Sequence, residues 1–239
     1  MFYFLDPTFL LLIPPMLLAF YASAKVKSAF SEYSQVRSAS GITGADAARG
    51  VLRSGGVQNV SIERTSGHLS DHYDPRKRVL RLSADVHDSS SLAALGVAAH
   101  EAGHALQDAR GYVPLKLRQG IWPVASFGSN LGPMLAFVGI LILAFAKGQP
   151  EWAMTLAKAG IFLFAGATVF TVITIPVELN ASRRALLMLE SSGYITERER
   201  PHVKKVLDAA ALTYLAAAFM SVMMLVRLIL LLTMVSRRD

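Results

Sequence analysis

The sequence predicts a mainly α membrane protein with about four transmembrane helices and a small polar α+β region between the first two. Three observations predict it. Of the 239 residues 53% are hydrophobic and only 17% charged, whereas about a quarter of a soluble globular chain is charged. Four stretches reach the length of about 20 mostly apolar residues that a bilayer requires. Between the first two lies a polar stretch in which short β-branched and aromatic runs precede a longer Ala-rich run, the pattern of strands followed by a helix.

The first span is expected over residues 1–24, with one charge, Asp6, near its start and a kink at Pro14 and Pro15. Ala22-Ser23-Ala24 has the form of a signal-peptidase site. No basic segment precedes the apolar run, however, and two prolines interrupt it, so retention as a membrane helix is expected. Residues 25–120 form the polar region. Thr43-Gly44-Ala45-Asp46 reads as a capping-box helix start and Gly55-Gly56 as its stop. Strands follow at 57–65, 68–73 and 78–82, with a turn at Asp74-Pro75. A helix over 92–110 is capped by Asp88 or one of Ser89 to Ser91. Further spans are expected over 121–146, 153–177 and 209–235, with a polar segment over 178–208. Arg227 interrupts the last span, where it either pairs with Asp6 or snorkels to the interface.

Charge orients the chain. Thirteen Lys and Arg residues lie from Lys25 to Arg118 and six more from Arg183 to Lys205, against Lys147, Lys158, Arg237 and Arg238 on the other side. The bias places the polar region in the cytoplasm and both termini outside. The net charge of +7 is spread between the spans, so nucleic acid is not an expected partner. Cysteine is absent, which excludes disulfides, thiol nucleophiles and thiolate metal sites.

The chemistry lies on the 92–110 helix, in His100-Glu101-Ala102-Gly103-His104. Four residues apart, His100 and His104 share a helix face and can ligate one Zn2+ ion, the cofactor this pattern implies. Glu101 points to the adjoining face, where it can serve as general base on a water activated by the metal. The expectation is a zincin-like, gluzincin-type catalytic region within a metalloprotease. A catalytic zinc takes a third protein ligand. The extended metzincin pattern would place Gly at 107 and His at 110, but Gln107 and Arg110 stand there. Glu178, after the third span, is the first candidate for that ligand. Asp108, one turn after His104, is its competitor, and otherwise accepts a bond from an imidazole N–H or is only a helix-surface charge.

The run from Leu69 to Pro75, the run from Val97 to Ala105, and Pro176-Val177-Glu178 with Ala181-Ser182-Arg183-Arg184-Ala185 together resemble the YugP-type putative neutral zinc metallopeptidases of bacterial membranes. The resemblance covers nearly the whole chain, with three motifs in order. It implies a multi-pass zinc peptidase of the bacterial inner membrane. By analogy with the HtpX-like proteases, where a glutamate on a later helix completes the site, it implies Glu178 as third ligand. Asn180 departs from the pattern, which more often has an acidic residue there.

Three functions remain open: an endopeptidase cutting protein or peptide substrates at the cytoplasmic membrane surface, an intramembrane site-2-type protease, and a zinc-binding scaffold. The apolar part of the metal helix, about 16 residues, is short for a span, and a scaffold has no need of Glu101. The strand before the metal helix is a candidate edge for extended substrate. Tyr73, Tyr194 and Arg183 are candidates for the oxyanion, while His68, His72, His87 and His202 read as surface or structural. Besides the lipid bilayer, a membrane-protein partner or a homo-oligomer is left open.

Overall fold

The computed structural model describes residues 6–67, 70–146, 148 and 150–237. Residues 1–5 of the expected first span, His68 and Leu69 of the expected second strand, and Lys147 and Arg238 lie outside the described residues. The described residues are mainly helical, with one three-stranded sheet. Among the described residues, four helical segments are long and apolar enough to cross a membrane: Pro7–Ser34, Val113–Phe145, Glu151–Ser191 and Arg200–Ser236. Each runs past the apolar stretch visible in the sequence. Helical hydrogen bonding has no reason to stop where composition turns polar, so a change in hydropathy does not mark a helix end.

The chain divides into two compact bodies. One comprises residues 1–21, 117–175 and 214–239. Its first helix opens as a 3-10 turn, Pro7–Leu12, capped by Asp6, and α1, Ile13–Ser34, follows. Pro14 and Pro15 therefore stand in the first turn of α1. The change from 3-10 to α geometry thus falls at the two residues that cannot donate a helical N–H bond. Glycines form the seam between Val113–Phe145 and Glu151–Ser191. A Cβ on Gly128 would lie 2.3 Å from the Leu163 carbonyl oxygen, and one on Gly160 would lie 2.2 Å from the Ala136 nitrogen. Such close backbone approach is how apolar helices associate where no hydrophobic effect operates between them. Arg227 donates to Asp6 at 3.0 Å and to Thr8 at 3.3 Å. Both charged side chains are largely shielded, so the pair foreseen from Asp6 and Arg227 is present and snorkelling is not needed.

The other body comprises residues 22–116 and 176–213. Here α2, Gly44–Ser54, starts with the expected capping box: Thr43 and Asp46 exchange hydrogen bonds, which satisfies two orphan N–H groups. It ends at Gly55, and Gly56 takes φ +77°, a conformation that favours glycine. The strands are β1 (Ser61–Thr65), β2 (His72–Asp74) and β3 (Val79–Ser83), in the order β1-β3-β2. The buried, β-branched and leucine-rich β3 is central, parallel to β1 and antiparallel to β2. A short helix, α3 (Ala84–His87), leads to α4 (Leu92–Ala109), which Ser91 caps through Ala94 N. The core gathers Val51 of α2, Leu80 and Leu82 of β3, Leu95 and Leu106 of α4, and Leu189, all nearly or wholly buried. The helices α5 (Val113–Phe145), α6 (Glu151–Ser191) and α7 (Arg200–Ser236) complete the fold.

Candidate metal centre

Alanine and glycine dominate α4 and build a helix thin enough to be packed on most sides. His100 and His104 leave it on one face, their ring centroids 4.8 Å apart and nearly perpendicular. Gly103 lies against α6: a Cβ there would stand 2.7 Å from the Ala181 carbonyl oxygen. This close approach brings Glu178, three residues before Ala181, up to both rings. Its Oε2 lies 3.1 Å from His100 Nε2 and 3.4 Å from His104 Nε2. Glu178 is 1% exposed. The three side chains offer ligand atoms within 4.8 Å of one another, a group that could hold a metal ion.

The donor set fits zinc: two imidazole nitrogens and a carboxylate oxygen, with no competing thiolate. The second ring nitrogens are also engaged, His100 Nδ1 with Ser182 Oγ at 3.1 Å and His104 Nδ1 with Gln107 Oε1 at 3.0 Å. Engaging Nδ1 leaves Nε2 for an ion. Burial opposes a charged His104, but Glu178 and Glu101 favour it more, so its pKa lies above the ordinary histidine value. A pocket in which two carboxylates face two imidazoles favours a cation.

Glu101 lies on the neighbouring face, where its Oε2 accepts a hydrogen bond from the Tyr73 backbone N–H of β2 at 3.1 Å. Burial pushes its carboxyl above the usual range. The two imidazoles pull it down, and Glu178 and Asp71 push it further up. Asp71 is itself held by Ser83, whose backbone N–H donates to it at 2.7 Å.

The other candidates fall elsewhere. Asp108 does not join the metal group and binds no imidazole. Its carboxylate accepts a bond from the Tyr73 hydroxyl at 3.0 Å, and burial, aided by that bond, raises the tyrosine pKa. The imidazole contact expected of Asp108 belongs instead to its neighbour Gln107, wholly buried and one turn after His104. Sequence reasoning used Gln107 only to exclude a metzincin; its i+3 spacing from His104 was the available signal. The Tyr73 hydroxyl is engaged by Asp108, the Tyr194 ring lies over Gly50 of α2, and Arg183 is exposed. His72 contacts the Ser70 carbonyl, His87 contacts Asp88, and His202 stacks on Tyr33; His68 lies outside the described residues. Asn180 Oδ1 accepts from both Gln107 and Arg184, two contacts that a carboxylate in its place would equally accept.

A sequence model of the family described as putative neutral zinc metallopeptidase matches residues 8–233. The chain is 46% identical over 213 residues to the Putative membrane protease YugP of Bacillus subtilis (strain 168), an alignment covering 89% of this chain and 91% of that protein. No solved structure matches it.

Proposed function

We propose, from the premise that this chain belongs to the putative neutral zinc metallopeptidase family, that it is a membrane zinc endopeptidase that hydrolyses peptide bonds of protein substrates at the cytoplasmic membrane surface. The observation that carries the reading is the convergence of His100, His104 and Glu178 beside a glutamate held by a strand. His100 Nε2, His104 Nε2 and Glu178 Oε2 would hold the ion. Zinc bound there supplies a Lewis acid that polarises a carbonyl and lowers the pKa of a coordinated water to near 7.

Glu101 supplies the proton transfers. Its carboxylate takes a proton from the attacking water as the new C–O bond forms, and then delivers it to the leaving amine nitrogen as the C–N bond breaks. The Tyr73 N–H fixes one carboxylate oxygen, so the other faces the reacting atoms. The strand carrying Tyr73 is an edge of the sheet, which suits an extended peptide bound through main-chain hydrogen bonds.

The cytoplasmic placement rests on the Lys and Arg bias. The absence of native cysteine makes it directly testable. A single cysteine at Asp74 should resist an impermeant maleimide in intact cells and react after lysis; labelling in intact cells would invert the topology. For the activity, purified protein should cleave an unfolded protein substrate, lose that activity to a chelator and regain it with zinc. Undiminished cleavage by the metal-free protein would exclude the reading.

A further inference from the structure

The histidine that ends the metal-binding pair stands at the end of a chain of hydrogen bonds whose polarity is determined throughout. Arg184 has only donors, so the Asn180 atom 2.7 Å from its Nε must be the side-chain oxygen. That same oxygen lies 3.0 Å from the Gln107 amide nitrogen, which also donates to the Val177 carbonyl at 2.8 Å. A carbonyl oxygen cannot donate, so the Gln107 amide has one orientation: nitrogen toward Val177 and Asn180, oxygen toward His104. Gln107 Oε1, 3.0 Å from His104 Nδ1, is an acceptor. His104 Nδ1 must therefore carry a proton, which leaves Nε2 as the ring nitrogen available to an ion held with Glu178.

Resting on the metal-centre reading, we propose that Gln107 is the positioning residue that sets the tautomer and ring orientation of His104, with the Arg184–Asn180 contact fixing the Gln107 amide. The geometry also couples the two ligand-bearing helices. Gln107 on α4 binds the carbonyl of Val177, the residue just before Glu178 on α6, so one side chain registers His104 against Glu178. Gln107 is completely buried, so no water can take over the bond to His104 when the amide is removed.

The test is the zinc dissociation constant, measured by competition with a chromophoric chelator, for wild type, Gln107→Met and Gln107→Glu. Methionine preserves volume and removes every hydrogen bond. Glutamate keeps an acceptor facing His104 Nδ1 but loses both donations. The expected result is a weakening of roughly 10- to 100-fold in Gln107→Met, the usual scale for such outer partners, with most of it recovered in Gln107→Glu. Wild-type affinity in Gln107→Met would overturn the proposal. So would a Gln107→Glu protein as weak as Gln107→Met, since the amide would then serve only as a strut between helices. Either result leaves the metal centre standing. If the wild type binds no zinc, the metal centre and this proposal fall together.

Discussion

Gly103 of α4 and Ala181 of α6 stand in backbone contact: a Cβ on the glycine would lie 2.7 Å from the alanine's carbonyl oxygen. Glycine is a poor helix former, about 1 kcal/mol worse than alanine, yet it stands inside α4 between the two histidines. Here its lack of a side chain sets the distance between the ligand-bearing helices. Gly103→Ala is therefore expected to lower the melting temperature, since overpacking costs about 1–3 kcal/mol and outweighs the gain in propensity. The same variant should bind zinc more weakly, because Glu178 is moved away from the imidazoles. A raised melting temperature would mean that the contact yields without cost.

Glu178 tests the third ligand. Glu178→Ala leaves His100 and His104 in place but removes the carboxylate shared by both. Zinc retained through purification should fall well below the roughly one ion per chain expected of a complete three-ligand site. Full zinc content in Glu178→Ala would move the ligand elsewhere; Asp108 is engaged by the Tyr73 hydroxyl. Asp108→Asn is the companion variant, and zinc content should not change in it.

Asp6 and Arg227 test the shielded ion pair. Removing one partner of such a pair leaves an uncompensated charge, at a cost of about 3–5 kcal/mol in a protein interior. Asp6→Asn and Arg227→Leu are each expected to destabilise the protein in a detergent unfolding assay, and the double variant to be more stable than the sum of the two. Strict additivity would show that the charges do not interact.

Glu199 gives a pH dependence. Its carboxylate accepts from Ala39 N at 2.7 Å, and from Thr196 N and Oγ1 at 2.7 and 2.9 Å. Burial would raise its pKa, but the bonds from Thr196 and Ala39 outweigh burial and hold it below the ordinary value. A folded-state pKa below the unfolded one, about 4.3, contributes stability that is present above that value and is lost as pH falls through the folded pKa. The melting temperature of wild type should thus exceed that of Glu199→Gln at pH 6 to 8 by a constant margin, which narrows below about pH 4.3. A margin independent of pH would show that the carboxylate's charge contributes nothing.

What the sequence made legible follows from what local pattern encodes. Spacing placed His100 and His104 on one helix face, and Thr43 with Asp46 at a helix start, because both are matters of a few residues along one element. Hydropathy located the apolar stretches, but not the helix ends, since α6 stays helical from Glu151 to Ser191 through the change in composition. The partners of Gln107 were invisible because Val177 and Asn180 lie some 70 residues on, and no periodicity reports which face of a later helix meets α4. The partner of Asp108 was hidden for the same reason: the Tyr73 hydroxyl belongs to a strand whose register with α4 only the fold determines.

The most direct test of the account is a paired measurement on Glu101→Gln: zinc per chain, and cleavage of an unfolded protein substrate. Glutamine keeps the shape and an acceptor for the Tyr73 N–H but cannot take a proton. About one zinc per chain, as in wild type, with cleavage reduced by at least about 100-fold, is the result expected when the general base is lost from an intact metal site. A Glu101→Gln protein that holds its zinc and cleaves at the wild-type rate would contradict it.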